Sequence, residues 1–265
     1  MSFQLHPGTV PLLVSLPHAG TEIPAEQHGG YVPRALAVED TDWHMPRLYA
    51  FARELGASVL QPRYSRYLID LNRPPDDTPM YPGASNTELC PTRFFTGDAL
   101  YRDGCAPDAA EKLRRRESYW RPYHEALAGE LERLKAVHGF ALLWDGHSIR
   151  GEIPWLFDGR LPDLNIGTAN GASADASIAQ AVQEAAARHP RFSHVLNGRF
   201  KGGFITRNYG WPAGCVHAVQ LEMVQATYMR EEPPFDWSAE RAAEVGPVVR
   251  EMVEAALAAC RKLYA

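Results

Sequence analysis

Five short stretches of the chain place side chains able to bind a metal or move a proton directly beyond an apolar run. "LLVSLPHAGTEIP" delivers His18 and then Glu22, and "EDTDWHMP" carries Asp40, Asp42 and His44 ahead of a helical pattern. "YLIDLNRPP" ends on Asn72 and Arg73, with Pro74 closing the run. "FALLWDGHSIR" passes from apolar residues 140–144 into Asp145, His147 and Arg150, and "CVHAVQLEM" passes into Glu222. Each stretch also has a purely structural reading. An Asp before a helix is an ordinary N-cap, a lone histidine can be a satisfied core residue, and Glu222 can be half of a structural ion pair. Taken together, His, Asp and Glu groups from separate elements are what a zinc-like ion needs, with one position open to water. Such an ion lowers the pKa of its water to about 7. A neighbouring carboxylate can then carry the water's proton to a leaving amine, and Asn72 with Arg73 offers a planar donor fork for a carboxylate. The chemistry these residues suit is amide hydrolysis on a small acidic substrate.

The elements that must position them follow from periodicity. Apolar runs at 11–16, 58–61, 67–71, 140–144, 193–196 and 216–221 read as short strands. Helical spacing appears in Leu48, Phe51, Ala52 and Leu55, with Pro46 tolerated in the first turn. It recurs in Trp120, Tyr123, Leu127, Leu131 and Leu134, closed by Gly139, in 176–188, and from Ser238 onward. Strands alternating with helices predict an α/β fold, a single domain over 1–265 with a mixed, largely parallel sheet and helices on both faces. In such sheets ligands bind beyond the carboxyl ends of strands, where all five stretches are expected to lie. Segments 74–107 and 150–173 fit neither template. Their Tyr81, Phe94, Phe95, Trp155 and Phe157 argue for packed loops, and loops of this length are usually functional. Trp155 and Phe157 are expected either to cover the site or to pack in the core.

Composition excludes several alternatives. With a net charge of −5 and basic residues scattered apart from the run 114–116, nothing argues for nucleic acid or an anionic membrane as partner. No apolar segment approaches the roughly 20 residues that span a bilayer, and the first residues lack a signal-peptide pattern. Cys90, Cys105, Cys215 and Cys260 are far apart with no CxxC spacing, as expected for reduced thiols in the cytoplasm.

"SLPHAG", "DTDWHMPRLY", "YSRYLIDLNRP", "LLWDGHSIR", "LNGRFKGGFITRNYG" and "HAVQLEM", in this order, resemble the N-formylglutamate amidohydrolase family over about 12–228. The resemblance implies hydrolysis of N-formyl-L-glutamate to formate and L-glutamate, the last step of one histidine degradation route. More distantly, the order of parts is similar to zinc carboxypeptidases and aspartoacylase-like deacylases, which implies a fold of that kind and a divalent metal, zinc with cobalt or iron as alternatives. It implies His18, His147 and a second ligand near the helix start. The HxxE of carboxypeptidases is absent, since Thr21 stands where Glu would and Glu22 is one residue late. His44 is therefore the expected second ligand, with Asp42 and Glu22 in reserve. Glu222 is implied as the base that takes the proton of the metal-bound water, and Arg66 as an aid to the oxyanion. Asn72 and Arg73 are implied as one carboxylate clamp and Arg207 as the other, with Arg150 and Lys201 behind it. Gly202 and Gly203 suit close backbone approach to a ligand. The rivals are a metal-dependent deacylase of another N-acyl amino acid, a cysteine amidase using Cys215 or Cys105, and a non-catalytic small-acid binding protein. A serine hydrolase is disfavoured by the lack of a GxSxG elbow.

Overall fold

The computed structural model describes residues 1–80 and 87–265, so Tyr81 lies outside the described residues. In chain order the strands and α-helices are β1 Phe3–His6, β2 Leu12–Ser15, α1 Met45–Leu48, α2 Phe51–Glu54, β3 Ser58–Pro62, α3 Ala109–Arg115, α4 Arg121–His138, β4 Ala141–Ile149, β5 Leu164–Gly167, α5 Ala176–Ala187, β6 His194–Leu196, α6 Phe204–Tyr209, β7 Val216–Val224 and α7 Ala239–Leu263. The strands form one sheet in the order β1-β3-β2-β4-β7-β5-β6. Of the six neighbouring pairs four are parallel, while β1 with β3 and β5 with β7 are antiparallel. The expected mixed, largely parallel α/β sheet is what the chain forms.

Both faces of the sheet are covered. On one, Leu127, Leu131 and Leu134 of α4 pack on Leu13, Ala141, Leu143, Val216 and Ala218. On the other, Ile178 and Val182 of α5 and Val245, Val249 and Met252 of α7 pack on Leu142, Trp144, Val219 and Leu221. Burying each such aliphatic side chain contributes about 1.5–3 kcal/mol. Because strand side chains alternate, β4 and β7 each present two distinct faces to these layers.

That alternation explains why apolar runs turn polar without ending. β4 extends through Asp145, His147 and Ser148 to Ile149, and β7 through Glu222 to Val224. On the α4 side the order along β4 is Ala141, Leu143, Asp145, His147, and along β7 it is Val216, Ala218, Gln220, Glu222. The amino-terminal half of that face packs against α4. The carboxyl half, beyond the apolar cluster, supplies the polar groups of the site.

Two expectations are corrected. Residues 67–71 form no strand. They make a buried turn whose carbonyls are taken by side chains: Tyr31 hydroxyl donates to Tyr67 O, Arg115 to Leu68 O and His124 Nε2 to Leu71 O. The apolar run reflects burial alone, since backbone groups paired by side chains need no sheet ladder. Conversely β5 lies inside the segment expected to be irregular. Its four residues, Leu164 to Gly167, are too few for periodicity to register, yet they pair along β7.

Candidate metal centre and active site

β2, β4 and β7 run parallel, so their carboxyl ends lie at one edge of the sheet. His147 and Glu222 are register partners across β4 and β7. His18 arrives from the turn after β2, and the Asp42 amide donates to the His18 carbonyl, 3.1 Å, which pins the two loops together. Ser148 N donates to Asp42 Oδ2, 3.1 Å, and ties that carboxylate to β4.

Three atoms converge as a result. His18 Nδ1 lies 3.1 Å from His147 Nδ1, His147 Nδ1 lies 3.2 Å from Asp42 Oδ2, and His18 Nδ1 lies 3.7 Å from the same oxygen. Ligand atoms about 2.1 Å from a tetrahedral ion stand ~3.4 Å from one another, so this triangle fits a zinc-sized cation. The other Asp42 oxygen, Oδ1, is buried without a hydrogen-bond partner and lies 3.9 Å from Arg66 Nη1. Among the described residues this is the one His/Cys/Asp/Glu group with metal-holding geometry.

The surrounding groups orient the imidazoles. Asp70 Oδ1 is 2.6 Å from His18 Nε2, and Asp145 Oδ2 is 3.1 Å from His147 Nε2. A carboxylate can only accept, so each Nε2 carries hydrogen and each Nδ1 is turned to the triangle. Asp70 is in turn held by Arg66 Nη2 at 2.6 Å and by the Asn72 amide at 2.8 Å. Burial opposes Asp70's charge, but His18, Arg66 and Arg73 outweigh it and hold its carboxyl well below the usual range. Burial and the Arg66 charge lower His18, whereas Asp145, Asp42 and Glu222 overcome burial and raise His147 well above its ordinary value.

Glu222 is buried beside them. Desolvation, reinforced by the charge of Asp42 and opposed by His147, pushes its carboxyl up to about 8. It opens onto a cavity of about 200 Å³, shared with His18, His147, Arg66, Asn72 and Arg73. Phe95, Leu156, Phe157 and Phe200 supply apolar wall, and Arg199 stands with them.

The expected residues divide clearly. His18, His147, Glu222, Arg66, Asn72 and Arg73 meet at this cavity. His44 lies elsewhere. It caps α1 in the left-handed conformation, φ 61°, and its Nε2 is 2.7 Å from the Phe235 carbonyl, with the ring against Trp237. Asp42 stands in the triangle in its place, because its own amide is bonded to the His18 turn. Glu22 is exposed and pairs with Arg63 at 2.7 Å. Arg150 does not line the cavity; it is 2.8 Å from the buried Asp40, which also accepts from Tyr67 hydroxyl and Phe95 N. Arg207 donates Nε to the Gly202 carbonyl, and neither it nor Lys201 lines the cavity. Gly203 is required by Asn72: a Cβ there would stand 2.3 Å from Asn72 Nδ2. Asn72 Oδ1 accepts from Ile205 N, and Asn72 Nδ2 lies 3.0 Å from His147 Nε2, the nitrogen that also faces Asp145. Phe157 lines the cavity, whereas Trp155 is 42% exposed and packs over Gly97. Cys105 and Cys215 are not cavity residues.

Three residues at the site, Gln220, Asp70 and Arg199, escaped sequence reasoning. Gln220, which accepts from Gly203 N, had a usable signal in its period-2 relation to Glu222. Asp70 had a weaker one, two residues before Asn72. Arg199 had none.

The family model for N-formylglutamate amidohydrolase matches residues 10–229. An N-formylglutamate deformylase of Pseudomonas aeruginosa is 54% identical over 258 residues, 97% of either chain. A second, from Pseudomonas putida, is 52% identical over 96% of this chain and 94% of its own. The fold is that of an N-formylglutamate amidohydrolase from Ralstonia eutropha JMP134, TM-score 0.81 at 24% identity, covering 98% of this chain and 97% of that one. This chain belongs to the N-formylglutamate amidohydrolase family.

Proposed function

We propose, from that membership and from the triangle of His18 Nδ1, His147 Nδ1 and Asp42 Oδ2 beside Glu222, that the enzyme hydrolyses N-formyl-L-glutamate to formate and L-glutamate. The triangle carries the reading, because it sets a cation site against a buried carboxylate whose proton affinity suits transfer near neutrality. A divalent ion held there, for which zinc is our choice, would acidify water and polarise the formyl oxygen.

The chain's own residues do the rest. Glu222 takes the proton of the attacking water and passes it to the glutamate nitrogen as the C–N bond breaks. Arg66 is anchored on Asp70 and its buried Nε has no partner in the fold, so it keeps a donor for the oxyanion. Arg73 sits at the cavity with Nε and Nη2 on Thr87 and Nη1 on the Asn72 carbonyl. Those partners are a hydroxyl and carbonyls rather than carboxylates, and with Asn72 it receives the substrate α-carboxylate. Phe95, Phe157 and Phe200 limit water around the reacting bond. We place the reaction in the cytoplasm, as the last step of histidine degradation.

Formate release from N-formyl-L-glutamate, N-formyl-L-aspartate and N-formyl-L-methionine, with acetate release from N-acetyl-L-glutamate, tests the reading. N-formyl-L-glutamate is expected to lead in kcat/KM. Preference for the N-acetyl substrate would move the enzyme to another deacylase class.

A further inference from the structure

A dicarboxylate substrate leaves a second negative charge to be met, and Arg207, Arg150 and Lys201 do not stand at the cavity. Three arginines do: Arg66, Arg73 and Arg199. Arg66 already faces two carboxylates, Asp70 at 2.6 Å and Asp42 at 3.9 Å. Arg199 differs. Its Nη2 donates to the Leu156 carbonyl at 2.5 Å, and its guanidinium lies 5.0 Å from the centre of the Phe157 ring and 5.9 Å from that of Phe200. Among the described residues it has no carboxylate partner, so most of its five N–H donors are uncommitted.

Its setting matches a distal carboxylate. Arg199 is exposed at the mouth, while His18, His147 and Glu222 are buried at the floor. Ile149, Leu156, Phe157 and Phe200 give apolar wall, the surface that two methylene groups between carboxylates would cover. A guanidinium packed against aromatic rings keeps its planar fork preorganised for a bidentate contact.

We infer that Arg199 is the specificity-determining clamp for the side-chain carboxylate of an N-formyl dicarboxylic amino acid, complementing Arg73 at the α-carboxylate. The inference rests on the reaction proposed above. A hydrogen-bonded charge contact of this kind sets a discrimination on the order of 30-fold or more between the acid and its neutral amide.

The test compares kcat/KM for N-formyl-L-glutamate and N-formyl-L-glutamine in the wild type, Arg199→Gln, Arg199→Lys and Arg207→Gln. The acid-to-amide ratio is expected to fall at least ~30-fold in Arg199→Gln, chiefly through KM, and to recover in part in Arg199→Lys. Arg207→Gln should disturb the ratio far less. A wild type with formate release but a ratio indifferent to both Arg199 variants overturns the assignment and leaves the reaction standing. A ratio that collapses in Arg207→Gln instead gives the clamp to Arg207 and also overturns it. If the Arg199 variants fold poorly, L-glutamate against L-glutamine inhibition of the wild type serves, and equal inhibition by both contradicts the clamp. A wild type that releases formate from neither compound sinks the parent reaction and the clamp together.

Discussion

His147 and Glu222 are register partners on adjacent parallel strands, so their side chains, the cation ligand and the proton carrier of the proposed reaction, leave the sheet on one face, a strand apart. The pairing separates their roles, because Glu222 is outside the triangle of His18, Asp42 and His147. Glu222→Gln is therefore expected to keep bound metal at wild-type stoichiometry while kcat drops about 100- to 10,000-fold. Metal analysis and formate release on the same preparation check both halves, and loss of metal with activity would make Glu222 a ligand.

Asp42 and His44 give a sharp contrast. Asp42→Asn should weaken metal binding by removing one corner of the triangle, and activity should fall with it. His44→Gln should retain metal, since His44 bonds the Phe235 carbonyl. Competition of each variant with a fluorescent chelator reads the affinities directly; a wild-type affinity in Asp42→Asn would contradict the ligand set.

Asp70 touches His18, its Oδ1 2.6 Å from Nε2, and in the proposed site this contact turns Nδ1 to the cation. Asp70→Asn is expected to cost about 10- to 100-fold in metal affinity, with excess metal restoring most of the activity. Failure of excess metal to rescue a folded variant would show that Asp70 serves the reaction in some other way.

His124 makes folding stability depend on pH. Its Nε2 donates to Leu71 O at 2.8 Å and its Nδ1 accepts from Tyr209 hydroxyl at 2.9 Å. Burial pushes its pKa down to about 4. The folded protein keeps the ring neutral, while the unfolded chain protonates it below ~6.5. This contribution is complete above pH ~6.5 and is lost as pH falls toward 4, about 2 kcal/mol of it between pH 7 and pH 5. Urea denaturation at both pH values should show that loss in the wild type and a reduced one in His124→Gln. Identical pH dependence in the two proteins would assign the acid sensitivity elsewhere.

How much of the site could be read from the sequence followed from how local each determinant is. His147 and Glu222 are legible because each follows an apolar strand run, although β4 and β7 continue through them and period-2 alternation sets their shared face. His18 followed from the end of β2. Asp42 was not separable from His44, since the choice rests on a hydrogen bond between distant loops and a left-handed backbone at His44. The turn 67–71 read as a strand because burial and sheet pairing leave the same apolar run, and only Tyr31, Arg115 and His124 distinguish them. Arg199 depends on the course of the loop after β6, which no spacing reveals.

The most direct measurement is formate release from N-formyl-L-glutamate before chelation, after removal of metal, and after stoichiometric zinc, cobalt or iron is returned. The account predicts activity that disappears with the metal and returns with one of these ions, in the wild type but not in Asp42→Asn at the same ion concentration. Formate release unchanged in protein shown to be metal-free would contradict it, and would send the search for a nucleophile to Cys215 and Cys105.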